Sequence, residues 1–368
     1  MKKIDWILVS SFLLLAGFGL VTMNSFTGEG SFFLKQAIWI FFALVAFFGL
    51  SYFDFDFLKR TNIVVVLYVL IVGVLFALFA SEHVIKGAQS WFNLWFFSIQ
   101  PAEIAKLVLI LILAKYFSRR HMQIAHIRHI LVSGVYAFIL FLLVFLQPDF
   151  GSAIIIFLIW LGMVLVSGIS KKHLLIVFLT GAIAFGGLWV FVFKDYQKDR
   201  IKNFVNPLAD IHKTGYNAYQ SMIAVGSGQI LGKGIGYGTQ SKLKFLPEYQ
   251  TDFIFAAFAE EWGLVGVLIL FILFGVVIWR ILTDAYKEGS NFQILFGVGI
   301  AVLIISHFTV NIGMNIGLLP VTGVPVPFMS YGGSHLLVEC IGLGILMGMR
   351  RHSRSMNKDL MQKEFLGV

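Results

Sequence analysis

The chain has 368 residues, of which 58% are hydrophobic and only 13% charged, and its mean hydropathy is +0.87. Soluble domains are roughly half apolar and about a quarter charged, so this composition excludes an ordinary soluble enzyme or a disordered chain and points to a polytopic membrane protein. The formal net charge of +9 then raises the question of where the cations sit relative to the bilayer.

An apolar run of about 20 residues can cross a ~30 Å hydrocarbon layer. In chain order such runs fall near 5–23, 32–52, 62–80, 100–117, 129–147, 150–168, 173–193, 253–282, 291–311 and 333–349. The pattern predicts an all-α polytopic membrane protein of ten helices. No strong internal repeat or low-complexity linker divides it, so 1–368 reads as a single membrane domain. The N-terminal MKKIDWILVSSFLLLAGFGL has the charged and apolar regions of a signal peptide but no convincing small-residue cleavage site, and it reads as a retained first helix.

Cationic loops are retained on the cytoplasmic side. One set of helix ends carries Lys2 and Lys3, Lys59 and Arg60, Lys115 to Arg128, Lys171 and Lys172, Arg280 and Lys287, then Arg350 to Lys363. Both termini, including the tail 350–368, are therefore expected in the cytoplasm. The opposite loops 24–31 and 312–332 hold no Lys or Arg, and 81–99 holds only Lys86. The exception is 194–252, read as a large extracytoplasmic loop between helices 7 and 8, with Lys194, Lys198, Arg200, Lys202, Lys213, Lys233, Lys242 and Lys244. Long loops translocate largely regardless of charge. A loop of that length is commonly functional, and its Gly226–Gln240 stretch predicts backbone held close to a ligand or to the bilayer surface. The plainer alternative is a surface loop whose cations rest on lipid phosphates.

Ionisable groups at membrane depth are costly, so each is a candidate site. In Gln100–Lys106, Pro101 can start a helix, and Glu103 and Lys106, three apart, share a face and can pair. Such a pair serves a ligand, or simply makes two buried charges tolerable. Asp149, in the turn Gln147–Ser152, reads as a helix cap. Asp252 follows the cationic, aromatic KLKFLPEYQT at the mouth of an apolar helix, where it would either cap that helix or act as a general base. The Gly- and Pro-rich Asn311–Leu337 is uncharged apart from His335, and irregular backbone at that depth must line a cavity or protein. A re-entrant plug is favoured there over direct catalysis. His307 and Glu339 read as isolated groups in buried hydrogen bonds. No His, Cys or carboxylate cluster shows metal-ligand spacing, and neither a phosphate-binding P-loop nor a nucleophile elbow is present. The lone Cys340 gives no disulfide framework.

Six motifs carry a family resemblance: GAQSWF (Gly87–Phe92), QPAEIAK (Gln100–Lys106), QPDFGS (Gln147–Ser152), DYQKDRI (Asp195–Ile201), LPEYQTDFIFAAFAEEWG (Leu246–Gly263) and GLLPVTGVPVPFMSYGGS (Gly317–Ser334). In this order the chain resembles the SEDS family of shape, elongation, division and sporulation proteins, and GTQ (Gly238–Gln240) with FLPEYQTDF looks like its elongation branch. Ser90 stands where many members have Arg, Ala102 where Ser is common, and Phe150 with Ser152 where Leu and Thr are usual.

The resemblance implies a peptidoglycan glycosyltransferase that polymerises lipid II at the outer face of the bacterial cytoplasmic membrane during cell elongation, with undecaprenyl pyrophosphate as leaving group. It implies Asp252 as general base, which an ordinary carboxylate pKa of about 4 would leave ionised. Glu103 and Lys106 would support a binding cavity, with Gln197 and Arg200 close by. Leaving-group charge would fall to Arg200, Lys233 and Lys244, or to a divalent cation (Mg or Mn). The expected partners are a class B penicillin-binding protein, a monofunctional transpeptidase, and other elongation-complex membrane proteins; no nucleic acid is expected. The competing readings are a lipid II flippase and a noncatalytic cell-wall scaffold.

Overall fold

The computed structural model describes residues 4–26, 31–80, 92–94, 97–118, 127–191, 193, 198, 204, 215–243, 245–246, 248–287 and 289–366. Each of the ten expected segments is a helix: α1 (Trp6–Phe26), α2 (Ser31–Tyr52), α3 (Thr61–Ala80), α4 (Pro101–Ser118), α5 (Ile127–Leu146), α6 (Phe150–Val166), α7 (Lys171–Phe191), α10 (Ile254–Tyr286), α11 (Asn291–Asn315) and α12 (Gly333–Leu366). Among the described residues of the long loop, α8 (Tyr216–Ser227) and α9 (Thr239–Lys242) are helices, so the loop is partly structured. Among the described residues, seven helices are long and apolar enough to cross a membrane. Of the other three long segments, α4 carries Glu103, Lys106 and Lys115, α6 has 17 residues and α12 ends in a polar tail. The segment 81–99, expected as a plain loop, contains a hairpin of β1 (Phe92–Leu94) and β2 (Phe97–Ile99), paired antiparallel with Phe92 opposite Ile99.

The chain crosses back and forth, so the bundle has a termini face, where α1 begins, and a loop face, where α8 and α9 sit. α4 and α11 form its centre: α4 is buried along most of its length and packs on α3, α6 and α11. The approach is close because Gly299 of α11 offers no side chain to Ile110 of α4; a Cβ there would come within 2.4 Å of Ile110. Small residues at such seams are how helices associate in lipid, where apolar burial drives nothing. By contrast, α7 is exposed along its length, and Trp189 and Phe185 meet Phe193, which in turn packs on Phe145 and Phe150.

Helix starts follow local chemistry. Asp149 caps α6 by accepting from the Ser152 amide at 3.0 Å, as its place in the sequence suggested. Ser290 caps α11 through Gln293 N–H, and Asp5 accepts from the amides of Ile7 and Leu8 at the head of α1.

Candidate functional site

Asp252 stands at the loop face, two residues before α10. Phe253 occupies the cap position and caps nothing with its side chain, so Asp252 lies just outside the helix. There the partial positive charge of the helix N-terminus favours a carboxylate. The Asp252 backbone is pinned: its carbonyl accepts from Asn311 Nδ2 at 2.9 Å and Asn315 Nδ2 at 3.1 Å. The carboxylate is half-buried against the last loop, where a Cβ added at Gly323 (φ +75°) would lie 3.5 Å from Asp252 Oδ2.

That last loop is wedged in place. Ser330 Oγ donates to the Thr251 carbonyl at 2.7 Å, and Tyr331 N–H donates to the Gln250 carbonyl at 2.8 Å. Gln36 of α2 donates to the Ser330 carbonyl at 3.1 Å, and Asn311 donates to the Val324 carbonyl at 2.7 Å. The loop's backbone at Met329 and Thr322 lies against Gly19 of α1 and Gly151 of α6. Its polar groups are thus met by protein, as a re-entrant segment requires.

His307, Asn311 and Asn315 recur at four-residue intervals and so form one stripe down α11. The stripe leads from Asp252 to a buried ring of side chains. Lys106 Nζ donates to Glu103 Oε1 at 2.7 Å and lies 3.1 Å from His307 Nε2. His307 Nδ1 lies 3.3 Å from His335 Nε2, and His335 Nδ1 lies 3.0 Å from Glu103 Oε2. The two imidazoles stack with centroids 4.6 Å apart. Both nitrogens of His335 face a carboxylate oxygen at 3.0 Å, Nδ1 that of Glu103 and Nε2 that of Glu339, and the donor and acceptor roles around the ring follow from where the imidazole protons sit.

Two expectations are corrected by this ring. His307 and Glu339 are not isolated, since His307 is a ring member and Glu339 Oε1 lies 3.0 Å from His335 Nε2. A group of metal-ligand types also exists among the described residues, because donor atoms of Glu103, His307 and His335 all fall within 4.8 Å of one another. It does not fit a divalent ion, because the Lys106 ammonium already lies between Glu103 and His307.

The glycine-rich stretch is held close to the protein itself rather than to a ligand. Glu260 and Glu261 of α10 fill it. Glu260 Oε1 accepts from the amides of Thr239 at 2.8 Å and Gln240 at 3.1 Å, and from Lys233 Nζ at 2.7 Å. Glu261 Oε1 accepts from the Gly236 amide at 2.6 Å, and Oε2 from Ser25 Oγ of α1 at 3.0 Å. Main chain follows: the amides of Lys233 and Gly234 donate to the carbonyls of Glu260 and Glu261, and those of Leu264 and Val265 to Gln229 and Ile230. The break in α10 that admits the loop is at Gly263, with φ +63°. Neither glutamate was singled out in the sequence, where both lie inside the motif Leu246–Gly263.

Of the expected site residues, the structure unites Glu103 with Lys106 and seats Asp252 on the stripe that leads to them. Lys233 is committed to Glu260 and Thr239. Gln197, Arg200 and Lys244 lie outside the described residues. Near the ring, Asp149 also accepts from Gln100 Nε2 at 2.5 Å, and burial pushes its carboxyl above the usual carboxylate range.

A family model described as "Cell cycle protein", FTSW_RODA_SPOVE, matches residues 4–355. "Peptidoglycan glycosyltransferase MrdB" of Escherichia coli (strain K12) is 39% identical over 80% of this chain and 79% of its own length. "Probable peptidoglycan glycosyltransferase FtsW" of Bacillus subtilis (strain 168) is 35% identical over 94% and 90%. Among solved structures, a chain from work on the structural coordination of polymerization and crosslinking by a peptidoglycan synthase complex superposes with a TM-score of 0.82 at 28% identity, covering 96% of this chain and 99% of that one. Rod shape determining protein RodA of Thermus thermophilus gives a TM-score of 0.71 at 27% identity, covering 95% and 97%.

Proposed function

Since this chain belongs to the FtsW, RodA and SpoVE family of cell cycle proteins, and is a multi-pass membrane peptidoglycan glycosyltransferase, we propose that Asp252 is the general base of its reaction. The observation that carries this reading is the pinned Asp252 backbone at the loop face, with a half-buried carboxylate turned against the last loop.

The substrate is lipid II as both donor and acceptor, and the reaction takes place on the extracytoplasmic side. The acceptor sugar hydroxyl attacks the donor anomeric carbon. Its proton passes to the Asp252 carboxylate, the new glycosidic bond forms, and the bond to the pyrophosphate breaks with its electron pair leaving on undecaprenyl pyrophosphate. One base suffices for inversion. Charge on the leaving group is met by cations of the long loop, Arg200 and Lys244 foremost because Lys233 is already paired, with a divalent ion such as Mg or Mn as further neutralisation. Glu103 and Lys106 support the site from within the ring, and Gln197 lies in the same loop as Arg200. The partner is a class B penicillin-binding protein, which fits the crosslinking activity of the similar synthase complex, within an elongation assembly.

The test is polymerisation of purified lipid II, with the partner present, by wild type, Asp252→Asn and Asp252→Ala. Loss of a general base lowers the rate by about 10²–10⁴, with the thermal midpoint of the detergent-solubilised protein unchanged. Polymer retained by both variants would remove Asp252 from the chemistry. No polymer from wild type would move the reading to lipid II transport.

A further inference from the structure

Glu339 is 3% exposed, sits on α12 and has no part in the chemistry above. Its Oε2 accepts from the backbone amide of Phe328 at 3.0 Å. Phe328 is one of the few non-glycine residues with positive φ, at +61°, a conformation that a bulky side chain rarely adopts unless its surroundings hold it there. The holding is local and complete: Val326 N–H donates to Ser330 Oγ at 2.8 Å, Ser330 N–H to the Val326 carbonyl at 3.1 Å, and the Phe328 ring stacks on Phe12 with centroids 5.6 Å apart. The remaining amide at the apex of this turn is taken by Glu339. Two residues on, the same turn delivers Ser330 Oγ to the Thr251 carbonyl, next to Asp252.

We propose that Glu339 is a positioning residue for the glycosyltransfer: by accepting from Phe328 N–H it fixes the left-handed turn Val326–Ser330, which clasps the Gln250–Asp252 segment. This rests on Asp252 being the base. The two oxygens are divided: Oε1 lies 3.0 Å from His335 Nε2 at the edge of the ring, and Oε2 alone meets the Phe328 amide. The turn therefore depends on the reach of one acceptor oxygen.

Three substitutions separate reach from charge. Glu339→Gln keeps an acceptor oxygen at the same distance and removes the charge. Glu339→Asp keeps the charge but withdraws it by one methylene. Glu339→Ala removes both. In lipid II polymerisation by the full chain with its partner, Glu339→Gln should retain activity within several-fold of wild type, while Glu339→Asp and Glu339→Ala should lose about 10²-fold, the scale of a displacement near 1 Å. The loss should fall on kcat with KM nearly unchanged. Hydrogen–deuterium exchange over 324–332 should quicken in the Asp and Ala variants and stay slow in Gln. Should the Ala variant fail to fold, the Gln and Asp pair decides. An active Asp variant, or a Gln variant as impaired as Asp, would overturn the proposal. The exchange reading is independent of the base: slow exchange in Gln and fast exchange in Asp, with an active Asp252→Asn enzyme, would keep Glu339 as the anchor of the turn while removing Asp252 from the chemistry.

Discussion

Two buried charge clusters sit at opposite faces of the bundle, and they are built from different side chains. At the termini face, Asp5, Arg280, Asp284 and Arg350 bring together the head of α1, the end of α10 and the middle of α12: Arg280 Nε donates to Asp5 at 2.8 Å, and Arg350 lies 2.5 Å from Asp284 and 3.6 Å from Asp5. Two acids face two guanidiniums, whose charge is fixed in proteins. Deeper in, toward the loop face, Glu103, Lys106, His307 and His335 close a ring through two imidazoles, and the stripe of His307, Asn311 and Asn315 carries it to Asp252. The first cluster latches helix ends. The second ties the backbone of Asp252, the proposed base, to a polar interior, which is why its loss should reach activity as well as stability.

The largest expected effect follows from breaking the ring. Lys106→Met leaves Glu103 with its charge buried and its main partner gone, and removing one member of a buried pair costs roughly 3–5 kcal/mol. Thermal unfolding in detergent should show that loss, with lipid II polymerisation abolished in whatever protein remains folded. A variant as stable as wild type would mean that His335 alone satisfies Glu103. Next comes the contact between the glycine-rich loop and α10. Gly232 has φ +80°, and a Cβ there would fall 2.0 Å from the Glu261 carbonyl oxygen. Gly232→Ala costs about 1–2 kcal/mol from backbone handedness alone, with displacement of the loop in addition. Exchange protection over 229–240 should fall sharply while that of α11 is kept. If protection spreads evenly instead, the loop is not a separate unit docked at the Gly263 break.

The helices were legible in the sequence because a span needs a fixed length of apolar residues, and nine of the ten fall within a few residues of their expected bounds, while α12 continues past 349 as a polar helix to Leu366 that no apolar run marks. The pair Glu103 and Lys106 was legible for the same kind of reason, since spacing along one helix decides which side chains meet. His307, His335 and Glu339 were not joined to that pair because they reach it from α11 and α12, some 200 or more positions away, and no local rule spans that separation. Their trace was present, though: His307, Asn311 and Asn315, and again His335 and Glu339, recur at four-residue intervals in otherwise apolar helices. Glu260 and Glu261 were missed because their partners are backbone amides of a loop, which sequence does not mark. That same loop read as backbone held close to a ligand or to the bilayer surface for a sound reason: its amides do turn toward carboxylates, but the carboxylates belong to the protein.

The smallest effect sharpens the comparison from the latch side. Burial alone would raise the Asp5 carboxyl, but the hydrogen bonds from Arg280 and the Leu8 amide outweigh it and hold the group below the usual carboxylate range. A carboxyl depressed in the folded state contributes stability that is fully present above its unfolded pKa, about 4, and is lost as pH falls through the lower folded value. Asp5→Asn keeps an oxygen for the Ile7 and Leu8 amides but turns an amide nitrogen toward Arg280, and Asp284 remains to face both guanidiniums, so the thermal midpoint at neutral pH should fall by less than in Lys106→Met, with polymerisation unaffected. The thermal midpoint of wild type should decline below about pH 4, and the gap between wild type and Asp5→Asn should narrow over the same interval. A gap that stayed constant through the acid range would assign the effect to packing of the amide rather than to the charge pair. A loss of polymerisation at neutral pH would show instead that the latch and the ring, for all their difference in make-up, act on the same carboxylate.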